Sequence, residues 1–195
     1  MKMRAVFLCL PAVILLSGCA ESLSTSHLPE MTFANFTPVE LNVEKIEVRD
    51  DYKPPLKDPN VEHTFQTPTY VAAENLLKKQ LVAAGRDDVL RAVITDASVV
   101  REALPMTRGF WGVFTHEPAE RLKAKVVVRF ELANQQAPDI VIGRVELTAR
   151  RTKTLMEGTS VADRDSAYFK LTEDMMNDLD NGLMTVVKNA FGKRG

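Results

Sequence analysis

The chain has 195 residues, 45% of them hydrophobic and 26% charged, and a formal net charge of −1. That length allows one domain with a substantial core, and the balanced charge disfavours a nucleic-acid partner, which calls for a basic surface. The two cysteines, Cys9 and Cys19, both lie near the start, so the body of the chain has neither a disulfide nor a thiol nucleophile and must be stabilised by burial.

Lys2 and Arg4 give a short basic opening, residues 5–16 form an apolar run broken by Pro11, and Leu16-Ser17-Gly18-Cys19 follows. The run is well short of the roughly 20 residues needed to span a bilayer as a helix. The order of basic, apolar and small residues is that of an export signal. It resembles a bacterial lipoprotein signal, with Leu16, Ser17 and Gly18 at the lipobox positions before the cut and Cys19 at the thiol that receives lipid. The resemblance implies a signal peptide over 1–18 and a palmitate-type acyl anchor on Cys19, and Ala20 in place of an aspartate points to the outer membrane, with the domain in the periplasm. A plain secretory cut near Ala20 is the alternative. Loss of Lys2 and Arg4 with the leader takes the formal charge from −1 to −3.

Residues 19–38 are polar with scattered apolar positions and no sustained period, which reads as a lipidated tether to a single domain over 39–195. Packing on the domain through Phe33 and Phe36 is the other reading. Residues 39–48 form a strand with a change of phase, and so a bulge, near Glu44-Lys45. Residues 50–66, carrying Pro54, Pro55 and Pro59, form a long irregular loop of the kind that is often functional. A helix follows, with Thr67 as cap, Pro68 at its first position and Gly85 past its end. Its buried stripe is Tyr70, Ala73, Leu77, Leu81 and Ala84.

Residues 90–104 form a second strand. The connection after it carries Phe110, Trp111 and Phe114 among Gly109 and Gly112. Over 121–132, Leu122, Ala124, Val126, Val128, Phe130 and Leu132 alternate with mostly charged residues, the clearest period-2 pattern in the chain. A turn at 135–138 leads to a strand over 140–155, with Arg144, Glu146, Thr148 and Arg150 on one face. Thr159 or Ser160 caps a last helix reaching Phe191, which Gly182 bends. The order is β-α-β-β-β-α, an α+β two-layer sandwich. Its four-stranded mixed sheet has the first two strands parallel through a right-handed crossover, then an antiparallel meander, with two helices on one face.

Little in this pattern carries catalysis. His27, His63 and His116 sit in separate loops without metal-ligand spacing. No nucleophile elbow or phosphate-cradling glycine loop occurs, and Asp163 and Asp165 suit the positive end of the last helix. The chain therefore reads as no enzyme, with no catalytic residue, metal or cofactor.

Two features remain. Phe110, Trp111 and Phe114 form either an exposed anchor for a partner or membrane, or a cover over one end of the core. Arg121, Lys123, Lys125, Arg129, Arg144 and Arg150 gather on the outer sheet face against Glu131 and Glu146. They either hold the phosphate or carboxylate groups of an anionic lipid or acidic protein, or form a solvated face.

In element order the chain from residue 39 to 191 resembles the small α/β lipoproteins of envelope assembly and transport, including the lipopolysaccharide-assembly lipoprotein and the auxiliary lipoproteins of lipid-exporting ABC systems. The resemblance implies an accessory protein held to the membrane through acylated Cys19 and docking on an envelope protein. A periplasmic lipid- or small-molecule-binding module and a hydrolase are the alternatives.

Overall fold

The computed structural model describes residues 28–105 and 117–192. The leader, Cys19, His27, His116 and the segment with Phe110, Trp111 and Phe114 lie outside the described residues. The class is α+β. The stretch with the strictest alternation becomes the central strand, here β6 (Pro118–Ala133). Leu122, Val126, Val128 and Phe130 are fully buried on its inner face, and burying one such side chain stabilises by about 1.5–3 kcal/mol.

On one side β6 pairs antiparallel along its length with β7 (Val141–Met156), from Pro118 opposite Met156 to Ala133 opposite Val141. On the other it pairs antiparallel with β4 (Val89–Asp96) and then with β5 (Val99–Ala103). β2 (Lys45–Asp50) lies parallel beside β4, as expected of the first two strands, and β5, β6 and β7 form the antiparallel meander.

The expected four-stranded sheet is corrected to five strands plus a separate two-stranded parallel sheet, β1 (Val39–Leu41) with β3 (Leu81–Ala83). The order β-α-β-β-β-α gives way to β1-β2-α1-β3-β4-β5-β6-β7-α2-α3 once α1 (Thr69–Gln80), α2 (Val161–Gly182) and α3 (Lys188–Phe191) are placed. Three local features cause the difference. The first expected strand breaks where the Val43 N–H turns back to the Leu41 carbonyl at 2.9 Å. The second breaks after Asp96, whose Oδ1 accepts the Ser98 N–H at 3.1 Å. The first helix stops at Gln80, because Leu81–Ala83 is drawn into pairing with β1. Gly85 serves this pairing rather than a helix cap: a Cβ there would lie 2.5 Å from the Asn42 carbonyl carbon and the Val43 nitrogen.

Both helices cover the inner face, and one core joins them to the sheet. In α1 the buried stripe is Ala72, Ala73, Leu76 and Leu77; it shares Ala73 and Leu77 with the expected set, while Tyr70 is only half-buried. Thr69 is buried and donates its hydroxyl to the Ala97 carbonyl. Ser160 caps α2, its Oγ accepting the Asp163 N–H at 3.1 Å. Gly182 lies tight against the sheet, since a Cβ there would run into the Leu147 side chain. A π-helical turn over Leu183–Val187 follows.

Residues 28–38 lie across the helix layer. Met31, Phe33 and Phe36 pack on the core, the two phenyl rings stacked at 5.7 Å. Lys79 Nζ donates to the Thr32 carbonyl at 2.5 Å and Gln80 Nε2 to the Thr37 carbonyl at 3.2 Å.

Candidate functional site

The period-2 alternation of β6 and β7 brings the six expected cations to the outer face of the sheet, opposite the helices. In register, Arg129 faces Glu146, Glu131 faces Arg144 and Lys125 faces Arg150. Of the two expected carboxylates Glu131 takes ion pairs and Glu146 takes none among the described residues, and two further carboxylates join the face. Arg129 and Arg144 both reach Glu131 at 3.0 Å. Lys123 reaches Glu102 at 2.9 Å, Arg121 lies 3.7 Å from the same group, and Lys125 reaches Asp96 at 2.9 Å.

Asp96 and Glu102 were not singled out from sequence, because strand alternation shows only which face a residue takes. Which neighbouring strand faces it comes from the register. Burial would raise the Asp96 carboxyl, but bonds from Lys125 and Ser98 outweigh it and hold the group below its ordinary value. Lys123 does the same for Glu102. Of the six cations, Arg150 alone has no ion pair among the described residues. It lines an open groove of about 390 Å³ together with Val100, Lys123, Lys125 and Thr152. Val93 and Val127 are also buried on this face. Val127 lies between Lys125 and Arg129 along the strand, where long charged side chains cover apolar surface with their stems.

A second cluster went unread in the sequence. Glu62 is 0% exposed, in a 3-10 turn over Glu62–Thr64 within the long loop. Its Oε1 accepts the Tyr52 hydroxyl at 2.6 Å, and its Oε2 accepts the Val99 N–H at 3.0 Å and Asn60 Nδ2 at 3.5 Å. Burial, then the bond to Glu62, pushes the Tyr52 hydroxyl well above its ordinary pKa. The arrangement ties the loop to β5: the Val61 N–H donates to the Val99 carbonyl at 2.9 Å and the Arg101 N–H to the Pro59 carbonyl at 2.8 Å. The spacing of Val61 and Phe65, both buried, was the available signal. His63 lies beside Glu62, with a buried Nδ1 that has no hydrogen-bond partner. Among the described residues no group of three or more His, Cys, Asp or Glu side chains is placed to hold a metal ion.

One end of the domain gathers several chain segments. There β5 ends and β6 begins, Pro118 faces Met156, and Arg164 of α2 bonds Glu120 at 2.6 Å. Leu28, the first described residue, lines a small cavity at this end with Phe65, Asp165 and Tyr168. Met156 and Val161 are exposed here, at 43% and 77%. Among the described residues no helix is long and apolar enough to cross a membrane.

Neither a protein-family model nor a curated protein matches the chain. Solved structures to which the chain shows similarity include a minor lipoprotein of Acinetobacter baumannii, 18% identical, covering 80% of this chain and 98% of its own, with a TM-score of 0.39. Rare lipoprotein B of Shewanella oneidensis is 13% identical over 74% of this chain and 94% of its own, with a TM-score of 0.39. A DUF330 protein of Xanthomonas campestris is 12% identical over 80% and 90%, again with a TM-score of 0.39. At these identities and scores the likeness carries no information about a ligand or partner of this chain.

Proposed function

We propose that the protein is a membrane-anchored lipoprotein, acylated on Cys19 and held at the outer membrane. There it serves as a non-enzymatic accessory or docking component of an envelope assembly or transport complex in the periplasm. The observation that supports this reading is the end of the domain just described. Leu28, the first described residue, lies there, and so do the end of β5 and the start of β6, which flank in sequence the segment carrying Phe110, Trp111 and Phe114. Leu28 lies nine positions after Cys19, a reach of roughly 30 Å. An acylated Cys19 thus holds this end, with its exposed Met156 and Val161, close to the bilayer and to any partner there.

The test uses the full chain. Cys19→Ser moves the protein from the membrane to the soluble fraction. Trp111→Ala leaves the melting temperature nearly unchanged and sharply lowers recovery of the co-purifying envelope protein, because a hot-spot tryptophan is worth about 2 kcal/mol or more of association. A large drop in melting temperature with unchanged recovery assigns Trp111 to a packed cover instead and overturns the docking role of this loop.

The groove beside Arg150 favours a second reading, a module that binds the anionic headgroup of a lipid. Preference of the Cys19→Ser protein for anionic over zwitterionic vesicles distinguishes it.

A further inference from the structure

Strand β7 is an open edge. Among the described residues it pairs with β6 alone, so backbone N–H and C=O groups along its sixteen residues face outward without a strand partner. Two exposed charges on its outer face also lack partners. Glu146 and Arg150 make no ion pair or hydrogen bond among the described residues, whereas the flanking Arg144 is held by Glu131 and Arg151 by Asp178. Thr148 lies midway between them.

We propose that β7 pairs antiparallel with β7 of a second copy of this chain about a two-fold axis at Thr148, joining two five-stranded sheets into one. In that register each residue faces the one equally far from Thr148 on the other side. Glu146 then faces Arg150 of the second copy, twice, so both unpaired charges are used in reciprocal cross-strand pairs. The same register sets Ile140, 57% exposed, opposite Met156, 43% exposed, again twice, and it uses the strand from end to end. The alternative that brings Glu146 to Arg144 centres on Val145. It leaves residues 151–156 without a partner and takes Arg144 from Glu131.

A two-fold perpendicular to the sheet keeps both outer faces on one side and both helix layers on the other. It brings the two α2 helices together near Gly182, where the exposed residues Asn181, Thr185 and Val186 carry no charge.

The test is a charge exchange on the full chain in detergent, with sedimentation giving the dimer dissociation constant. Wild type is a dimer. E146R and R150E each set like charges face to face at two places and weaken the dimer about tenfold or more, while the double variant E146R/R150E restores it. Melting temperatures close to wild type confirm that both single variants remain folded. In membranes under mild oxidation, Thr148→Cys cross-links to itself, because directly opposite antiparallel positions lie about 4.5–5.5 Å apart at Cα, within disulfide reach. Thr152→Cys, eight positions out of register with its own copy, does not. Wild type supplies the background from Cys9 and Cys19. A monomeric wild type shows that the edge cations guard the strand from pairing and overturns the proposal. So do single variants as tight as wild type, a double variant no tighter than the singles, or an uncross-linked Thr148→Cys.

Discussion

The two sides of the main sheet end differently. On the β5 side, the loop over residues 58–62 runs along the strand and closes it. Backbone bonds from Val61 and Arg101, the buried Glu62 side chain and an Arg101–Asp58 ion pair at 2.5 Å all tie the loop to the strand. On the other side, among the described residues, β7 has no strand beyond it. The contrast shows that what a sequence presents as a long irregular loop can be an edge cover, and that its buried carboxyl belongs to that cover. A buried acid is a natural candidate for catalysis. Glu62 instead has its oxygens occupied by Tyr52, Asn60 and the Val99 N–H, which is the accounting expected of a structural brace.

The largest expected effect comes from cutting the covered side. Glu62→Ala leaves the buried Val99 N–H and the Tyr52 hydroxyl without an acceptor and opens a cavity, a loss of about 2–4 kcal/mol in denaturant unfolding. A loss below about 1 kcal/mol shows that the loop closes β5 without its carboxyl group. The alkaline limb of stability sharpens the same point. The Tyr52 hydroxyl titrates higher in the folded protein than in the unfolded chain, so the folded state keeps its proton longer. Its contribution is complete below about pH 10, the unfolded value, and declines as pH rises beyond that. Wild type therefore loses stability above pH 10 more steeply than Tyr52→Phe, and parallel pH profiles for the two proteins refute the linkage. On the open side the effect is the smallest. Arg150→Ala, removing an exposed and unpaired cation, changes unfolding by less than about 0.5 kcal/mol. A larger loss, measured on the monomer at dilution, means that the guanidinium has a partner within the fold.

How far each region was legible follows from the kind of interaction that builds it. β6 was readable almost to the residue, because its burial depends on one face and a face has period 2; Val126 and Val128 are buried and Lys123 is exposed, as the alternation requires. The Ser160 cap was readable because it is chemistry within four residues. The cations of the outer face and their partner Glu131 were placed correctly, but not the other partners. Asp96 and Glu102 reach the cations from β4 and β5, on either side of the break at Ala97-Ser98, and that register is a long-range quantity. The split of residues 39–48 into β1 and β2 was anticipated as a change of phase, yet the pairing of β1 with Leu81–Ala83 was not. It overrides a helical stripe that would otherwise continue through Leu81 and Ala84. Glu62 was hidden for the same reason as the loop it sits in: a bond from the Val99 N–H to a carboxylate 37 residues away leaves no periodic trace.

The packing of residues 28–38 over the helices also has a mechanical meaning. These residues are held by a few separable contacts, the Phe33–Phe36 stack and the bonds from Lys79 and Gln80, whereas Val39–Leu41 beyond them is paired in parallel with β3 and bridged to Gly192. Tension applied at the N-terminus peels the first group one contact at a time, releasing about 3.3 Å of chain per residue, before it loads the paired strands in shear. The segment is a length of slack folded against the body. It lets the domain travel roughly 35 Å further from its point of attachment while the sheet and the helices stay intact.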